Sequence, residues 1–171
     1  GGFLNPKAVE QYLAMVEFAV RHLGDLVEEY VTINEPNVYA VCGYLGAGFP
    51  PGEFNMPHAL RVMKVMGECH RRAYRLIHNI HKELGYAEPK VGLAMHMRAF
   101  VPYNAKNLWY RLACRISEYN FQTKLNKTYM LGPDGPYADF LGLNYYARTA
   151  TSGLGDGTLP HVPVNDLGWE I

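Results

Sequence analysis

Tyr30-Val31-Thr32-Ile33-Asn34-Glu35-Pro36 is the stretch on which the reading of the fold turns. Val31, Thr32 and Ile33 are β-branched, which suits a short buried strand. Pro36 has no N–H to give a sheet ladder, so the strand ends there. Asn34 and Glu35 then stand at the strand's carboxyl end, beside a turn. In parallel α/β sheets and barrels that end carries the chemistry. A carboxylate next to an amide, held on a rigid strand, is suited to general-acid work on a polar ligand.

Upstream, Asn5 and Pro6 read as a helix start, with Asn as cap and Pro at the first helical position. Tyr12, Leu13, Val16, Val20 and Leu23 follow at helical spacing, and Gly24 stops the helix. A helix, a short loop and a strand make the rhythm of a wound α/β fold. Downstream, Asn37 to Tyr44 reads as a short helix. Gly43, Gly46, Gly48, Pro50, Pro51 and Gly52 then define a long loop carrying Tyr44 and Phe49, placed to wall a cleft. It holds no Gly-Lys-Ser/Thr, and its prolines remove backbone donors, which argues against a phosphate cradle.

Pro57 opens the longest helix, whose apolar stripe runs from Leu60 through Met66, Ala73 and Ile80 to Leu84, with Gly85 as its end. Arg61, Lys64, Arg71, Arg72, Arg75 and Lys82 fall mostly off the stripe and read as a solvated face, not a nucleic-acid patch. His78 and His81 lie three apart. With Glu83 they give a remote metal-hydrolase reading, but no third ligand is evident from the spacing, and they read as surface histidines. Val91 to Met95 forms a second strand with His96 at its carboxyl end. His96 either lines the same cleft as Glu35 or is satisfied locally. Val101-Pro102-Tyr103-Asn104 reads as a loop. Leu108, Leu112, Ile116 and Tyr119 mark a further helix, and Gly132-Pro133-Asp134-Gly135-Pro136 a turn.

Asp139-Phe140-Leu141-Gly142-Leu143-Asn144-Tyr145-Tyr146 is the third strand, and it too ends in polar groups. Two strands of one polarity, each ending in Asn plus a functional partner, point to a site more strongly than either alone. The tail from Gly153 reads as loop, with Gly155-Asp156-Gly157 a turn. Three strands with ample helices favour right-handed βαβ units. A complete eight-fold barrel takes about 250 residues, so this chain holds roughly three of the eight units.

Composition agrees with a folded α/β domain: of 171 residues, 49% are hydrophobic and 19% charged. Sixteen basic and sixteen acidic residues leave no net charge, so no global field favours nucleic acid or an anionic membrane. Most of the 13 tyrosines read as amphipathic packing, although the residue also suits sugar clefts. Cys42, Cys69 and Cys114 are odd in number and widely spaced, without zinc spacing. They read as buried free thiols, in keeping with a reducing, cytoplasmic location. Asn126-Lys127-Thr128 matches a chance-prone glycosylation sequon. No apolar run reaches transmembrane length. The first residues lack both signal-peptide features and an initiator Met, so residues 1–171 read as a single segment of something longer.

The motifs resemble those of the family-one glycoside hydrolases, the β-glucosidase and 6-phospho-β-glucosidase group. Thr32-Ile33-Asn34-Glu35-Pro36 is similar to that family's acid/base signature. Gly1-Gly2-Phe3-Leu4-Asn5 resembles the segment before the preceding helix. Residues 139–146 resemble the sixth barrel strand, and Asn165-Asp166-Leu167-Gly168-Trp169-Glu170-Ile171 the segment that follows it. The four motifs occur in family order and span essentially the whole chain.

The resemblance implies a partial TIM (β/α)8 barrel, an α/β fold of about three parallel strands with flanking helices. It implies retaining hydrolysis of a β-glycoside by two carboxylates about 5–5.5 Å apart, with no cofactor and no metal. Glu35 would be the acid/base. Asn34 would hydrogen-bond the sugar 2-hydroxyl, Asn144 would line the sugar pocket, and Tyr146 would orient the nucleophile. The family's nucleophile is a Glu in an Ile/Thr-Glu-Asn-Gly context, and residues 1–171 contain no such stretch; Glu170 in Gly-Trp-Glu does not fit it. The family's first three strands and its eighth are not represented, and the connection from Ile116 to Asp139 is shorter than usual. His96 stands where relatives commonly place Asn. The expectation is a half-site without turnover, whose open strand edges invite self-association or a complementing fragment. The alternatives are a non-catalytic carbohydrate-binding or interaction protein on the same scaffold, and a structural fragment.

Overall fold

The β-branched run Val31-Thr32-Ile33 lies in the first of three strands that the chain lays side by side. In chain order the elements are α1 (Ala8–Leu23), β1 (Glu29–Asn34), α2 (Pro36–Tyr44), α3 (Met56–Leu84), β2 (Lys90–His96), β3 (Phe100–Pro102) and α4 (Leu108–Glu118). A π-helical stretch, Tyr119–Leu131, follows, and then β4 (Phe140–Asn144), β5 (Thr149–Thr151) and β6 (Asp156–Gly157). The computed structural model describes residues 2–132, 134–153 and 155–170, without the side chains at 125, 126, 128 and 129. Pro133 of the expected turn, the sequon side chains of Asn126 and Thr128, and Leu154 and Ile171 of the tail lie outside the described residues.

β1, β2 and β4 pair in the order β1-β2-β4, all parallel. β2 is buried from Val91 to His96, as a central parallel strand must be. Its neighbours are edges. Val31 is 53% exposed, Leu141 50% and Leu143 61%, so apolar side chains of both outer strands face no partner among the described residues. Gly92 brings β2 and β4 together, because a Cβ there would overlap the Phe140 carbonyl oxygen. In the register Val31 stands opposite Gly92 and Asn34 opposite Ala94, so β1 carries one extra residue. This bulge sets Asn34 and Glu35 at the mouth of the sheet.

α3 supplies the layer behind the strands. Asn55 caps it by accepting the His58 N–H at 3.1 Å, and Gly85, at φ 70°, ends it in the left-handed region. Its stripe divides into two cores. One joins Met63 and Met66 to Ile33, Leu93, Met95 and Tyr44. The other joins Ile77 and Ile80 to Val16, Val20 and Val91.

Several expectations are corrected. His81 is a core residue, not a surface one. It is 1% exposed, with Nε2 at 2.8 Å from the Tyr30 hydroxyl and Nδ1 at 2.6 Å from the Ala87 carbonyl oxygen. His78 pairs with Asp139 at 3.0 Å. Arg71 is half-buried over the π-helical stretch, donating to the Met130 carbonyl at 3.4 Å, so the basic face of α3 is only partly solvated. α1 starts at Ala8, because Asn5 spends its side chain on the Lys7 N–H in a tight turn before the helix. Residues 100–102 are a strand, not a loop: β3 pairs in parallel with β5, and Pro102 is tolerated at the end of an edge strand. Asp156 and Gly157 form β6, antiparallel to β5, in place of the expected turn. Of the thiols, Cys69 and Cys114 are buried and Cys42 is half-buried, and all three are free.

Candidate active site

Glu35 joins β1 to α2 in a single residue. Its φ of 49° and ψ of 55° are left-handed, a sparsely populated conformation for a side chain of this kind. Two backbone bonds hold it: the Glu35 N–H donates to the Ala94 carbonyl at 2.7 Å, and its own carbonyl accepts the Tyr39 N–H at 3.1 Å. Pro36 sits at the start of α2, where a missing N–H costs nothing. Asn37 is fully buried and donates to the His96 carbonyl at 2.9 Å, which ties α2 to the end of β2. The carboxylate therefore projects from an over-determined corner.

One oxygen of that carboxylate gathers two donors. Glu35 Oε1 accepts from Asn144 Nδ2 at 2.8 Å and from the Tyr146 hydroxyl at 2.8 Å. Asn144 Nδ2 also reaches Asn34 Oδ1 at 3.0 Å. All four site residues expected from the sequence thus meet in one network at the carboxyl ends of two parallel strands. The phenol of Tyr146 is held above its ordinary pKa, first by its bond to Glu35 and then by burial.

His96 stands opposite Asn144 in the sheet register. Both readings left open for it hold. It lines the cleft beside Glu35, and its Nε2 is engaged by Arg98 Nε at 3.2 Å. Its ring meets Tyr146 edge-on at 5.0 Å and Phe121 at 5.5 Å. Burial lowers its pKa, Arg98 lowers it further, and Glu35 opposes both. Accepting from Arg98 is consistent with a neutral ring.

The cleft has a volume of about 450 Å³. Beyond Glu35, His96 and Tyr146, its wall includes Arg98, Arg148, Thr149, Asp156 and Trp169. Trp169 lies 5.1 Å from Tyr146, ring to ring, and Arg148 is neutralised by Glu170. The Gly/Pro loop after α2 does not wall this cleft. It folds back on α2 instead, through Phe49 N–H to the Cys42 carbonyl and Glu53 N–H to the Gly43 carbonyl, both at 3.0 Å. Arg98, Arg148 and Trp169 were not singled out from the sequence. Only Trp169 carried a signal, as an aromatic inside one of the four family-like segments. Among the described residues no group of three His, Cys, Asp or Glu is arranged to hold a metal. In the His78, His81 and Glu83 set, both ring nitrogens of His81 are engaged in the core and Glu83 is engaged by Arg21.

The sequence profile of glycosyl hydrolase family 1 matches residues 1–133. The chain belongs to that family. It is 28% identical to the β-galactosidase of Saccharolobus solfataricus over 99% of its own length and 39% of that protein's. A 52-residue stretch, 30% of this chain and 10% of the relative, is 46% identical to β-glucosidase 17 of Arabidopsis thaliana. The β-glycosidase structure from Pyrococcus horikoshii superposes with a TM-score of 0.81 at 25% identity, covering all of this chain and 43% of that one. The chain thus spans about two-fifths of the full-length relatives it matches. Its fold is a part of the α/β barrel of these relatives. Among the described residues no helix is long and apolar enough to cross a membrane.

Proposed function

We propose that residues 1–171 carry the acid/base half of a retaining β-glycosidase site, with Glu35 as the proton donor. The observation that carries this reading is the convergence of Asn144 and Tyr146 on Glu35 Oε1, in a cleft at the carboxyl ends of parallel strands. The protonated Glu35 gives its proton to the glycosidic oxygen as the leaving group departs. The resulting carboxylate then takes a proton from water as that water attacks the glycosyl intermediate. Asn34, two residues beyond Thr32, holds the sugar 2-hydroxyl, a bond that tightens in the oxocarbenium-like transition state. Asn144 lines the sugar pocket, and Tyr146 orients the second carboxylate as well as Glu35.

That second carboxylate must attack the anomeric carbon from about 5–5.5 Å away. Within residues 1–171 none stands in the family's nucleophile context, and Glu170 is engaged by Arg148. These residues by themselves therefore bind without turning over, and a polypeptide supplying the remaining strands restores activity. The half-exposed apolar edges of β1 and β4 are where such a polypeptide pairs.

Calorimetric titration with deoxynojirimycin tests the site, because on this reading its ammonium would pair with the Glu35 carboxylate. Binding is expected in the wild type and a loss of about tenfold or more in Glu35→Gln, as for a partly buried charge pair. Sugar binding indifferent to Glu35→Gln would instead support a non-catalytic carbohydrate-binding protein. Turnover of 4-nitrophenyl β-glucoside by the isolated chain, abolished in Glu35→Gln, would refute the half-site and keep the acid.

A further inference from the structure

Of the two guanidinium groups lining the cleft, Arg148 is neutralised by Glu170. Arg98 forms no ion pair among the described residues, and its side chain is held by His96 and Phe121. Its backbone N–H donates to Gln122 Oε1 at 2.8 Å. Its Nε donates to His96 Nε2 at 3.2 Å, and its guanidinium carbon lies 4.9 Å from the Phe121 ring centroid. These contacts fix the plane of the group and use Nε. The two terminal nitrogens make no hydrogen bond among the described residues. Such a fork matches the geometry of a carboxylate or phosphate.

Among the described residues no carboxylate lies within ion-pair distance of Arg98, although Glu35 and Asp156 line the same cleft. His96 serves it as a hydrogen-bond acceptor rather than a counter-ion. Glu35 is engaged by Asn144 and Tyr146. Asp156, on β6, accepts the Thr151 hydroxyl at 3.0 Å. A half-buried cation left unpaired in a cleft is costly, and a ligand anion removes that cost. The position is also informative. Asn34 and Asn144 stand at strand ends, where the sugar is expected, whereas Arg98 lies two residues beyond the end of β2 and further out at the mouth. Glu35 protonates the oxygen between sugar and leaving group, so the wall that continues outward through His96 to Arg98 flanks the leaving group.

We propose that Arg98 receives an oxyanion carried by the leaving group, so that this site takes β-glycosides with an anionic aglycone. The proposal rests on the reading of the Glu35 cleft as a glycoside site.

The test titrates the chain with phenyl β-glucoside, 4-carboxyphenyl β-glucoside and phenyl 6-phospho-β-glucoside, at low and high salt. The carboxylated aglycone is expected to bind about tenfold tighter than the neutral one at low salt, the scale of a charge-assisted bidentate contact. Salt should shrink that preference. It should vanish in Arg98→Gln and persist, reduced, in Arg98→Lys. Equal binding of the phenyl and carboxyphenyl glycosides overturns the proposal and leaves the glycoside site standing. A gain confined to the 6-phosphate places the anion on the sugar and also overturns it. Binding of none of the three by the folded chain overturns both readings. The wild-type comparison needs no variant, so a variant that fails to fold does not remove the test.

Discussion

His70 makes the stability of this fold sensitive to acid in a way that can be calculated. It lies in the middle of α3, fully buried, with Nδ1 at 2.7 Å from the Thr32 hydroxyl oxygen. That hydroxyl also contacts the Gly92 carbonyl at 3.1 Å. A carbonyl can only accept, so the single hydroxyl proton goes to Gly92 and Nδ1–H donates to Thr32. A second proton would have to enter at Nε2, which is buried and makes no hydrogen bond of good geometry among the described residues, with only the Tyr137 backbone near enough to favour it. Burial accordingly pushes the imidazole from 6.5 down to about 4, with the Tyr137 backbone opposing and Arg71 adding to the effect.

The unfolded chain takes up this proton near 6.5 and the folded chain only near 4. Between those values the unfolded state holds more protons, so stability falls as pH falls. The contribution is fully present above the upper value and gone below the lower one. At about 1.4 kcal/mol per unit the loss comes to about 3 kcal/mol, a large share of a typical domain's stability. Urea unfolding followed by circular dichroism, in wild type and His70→Gln, isolates it, since every other titrating group cancels in the difference. The stability gap between the two proteins should shift by about 3 kcal/mol in favour of the variant between about pH 7 and about pH 4. A gap constant within about 0.5 kcal/mol would refute the assignment of an Nε2 without a hydrogen bond of good geometry.

Two further outcomes follow from packing. Gly92→Ala places a Cβ against the Phe140 carbonyl oxygen and 3.0 Å from its ring, so β2 and β4 must separate; a loss of about 1–3 kcal/mol in urea midpoints is expected. A variant as stable as wild type would mean that the strands are not this close. With an aromatic disulfide reagent, Cys42 should react in the native chain and Cys69 only on unfolding. Cys69 is fully buried and its thiol is pushed up to about 11, first by burial and then by Glu68. Rapid native labelling at Cys69, read by mass spectrometry, would contradict the packing of α3.

The elements legible in the sequence are those whose signal is local. β1 could be read from three β-branched residues and a proline, and α3 from one apolar stripe with Pro57 and Gly85 as its ends. The four candidate residues could be singled out because each lies at or just beyond the end of such an element. The π-helical stretch Tyr119–Leu131 was missed because it keeps neither the 3.6-residue nor the two-residue period. β3, β5 and β6 are two or three residues long, too short for any period. Their existence depends on each other: the β3–β5 ladder joins residues about fifty apart, and the β5–β6 hairpin is closed by a two-residue ladder together with bonds from Thr151 to Asp156 and from Ser152 to Gly155.

The same distinction explains which parts of the cleft could be foreseen. Its floor comes from strand ends, where type and position are fixed together by the pattern. Its wall comes from the second sheet and the tail, which carry Arg148, Thr149, Asp156 and Trp169. Nothing local in Arg98 or Arg148 says that one is spent on Glu170 and the other is not. That difference is set by residue 170 folding back to 148, and by Phe121 and Gln122 arriving from the π-helical stretch. In the same way, His81 and His70 look polar on α3 and are buried only because Tyr30 and Thr32 of β1 meet them. The proposed acid, Glu35, is thus placed by local rules, whereas the groups that would choose its substrate are placed by long-range pairing. Substitutions at Arg98 or Trp169 should therefore alter which glycosides bind, whereas substitutions in 31–36 should alter whether any binds at all.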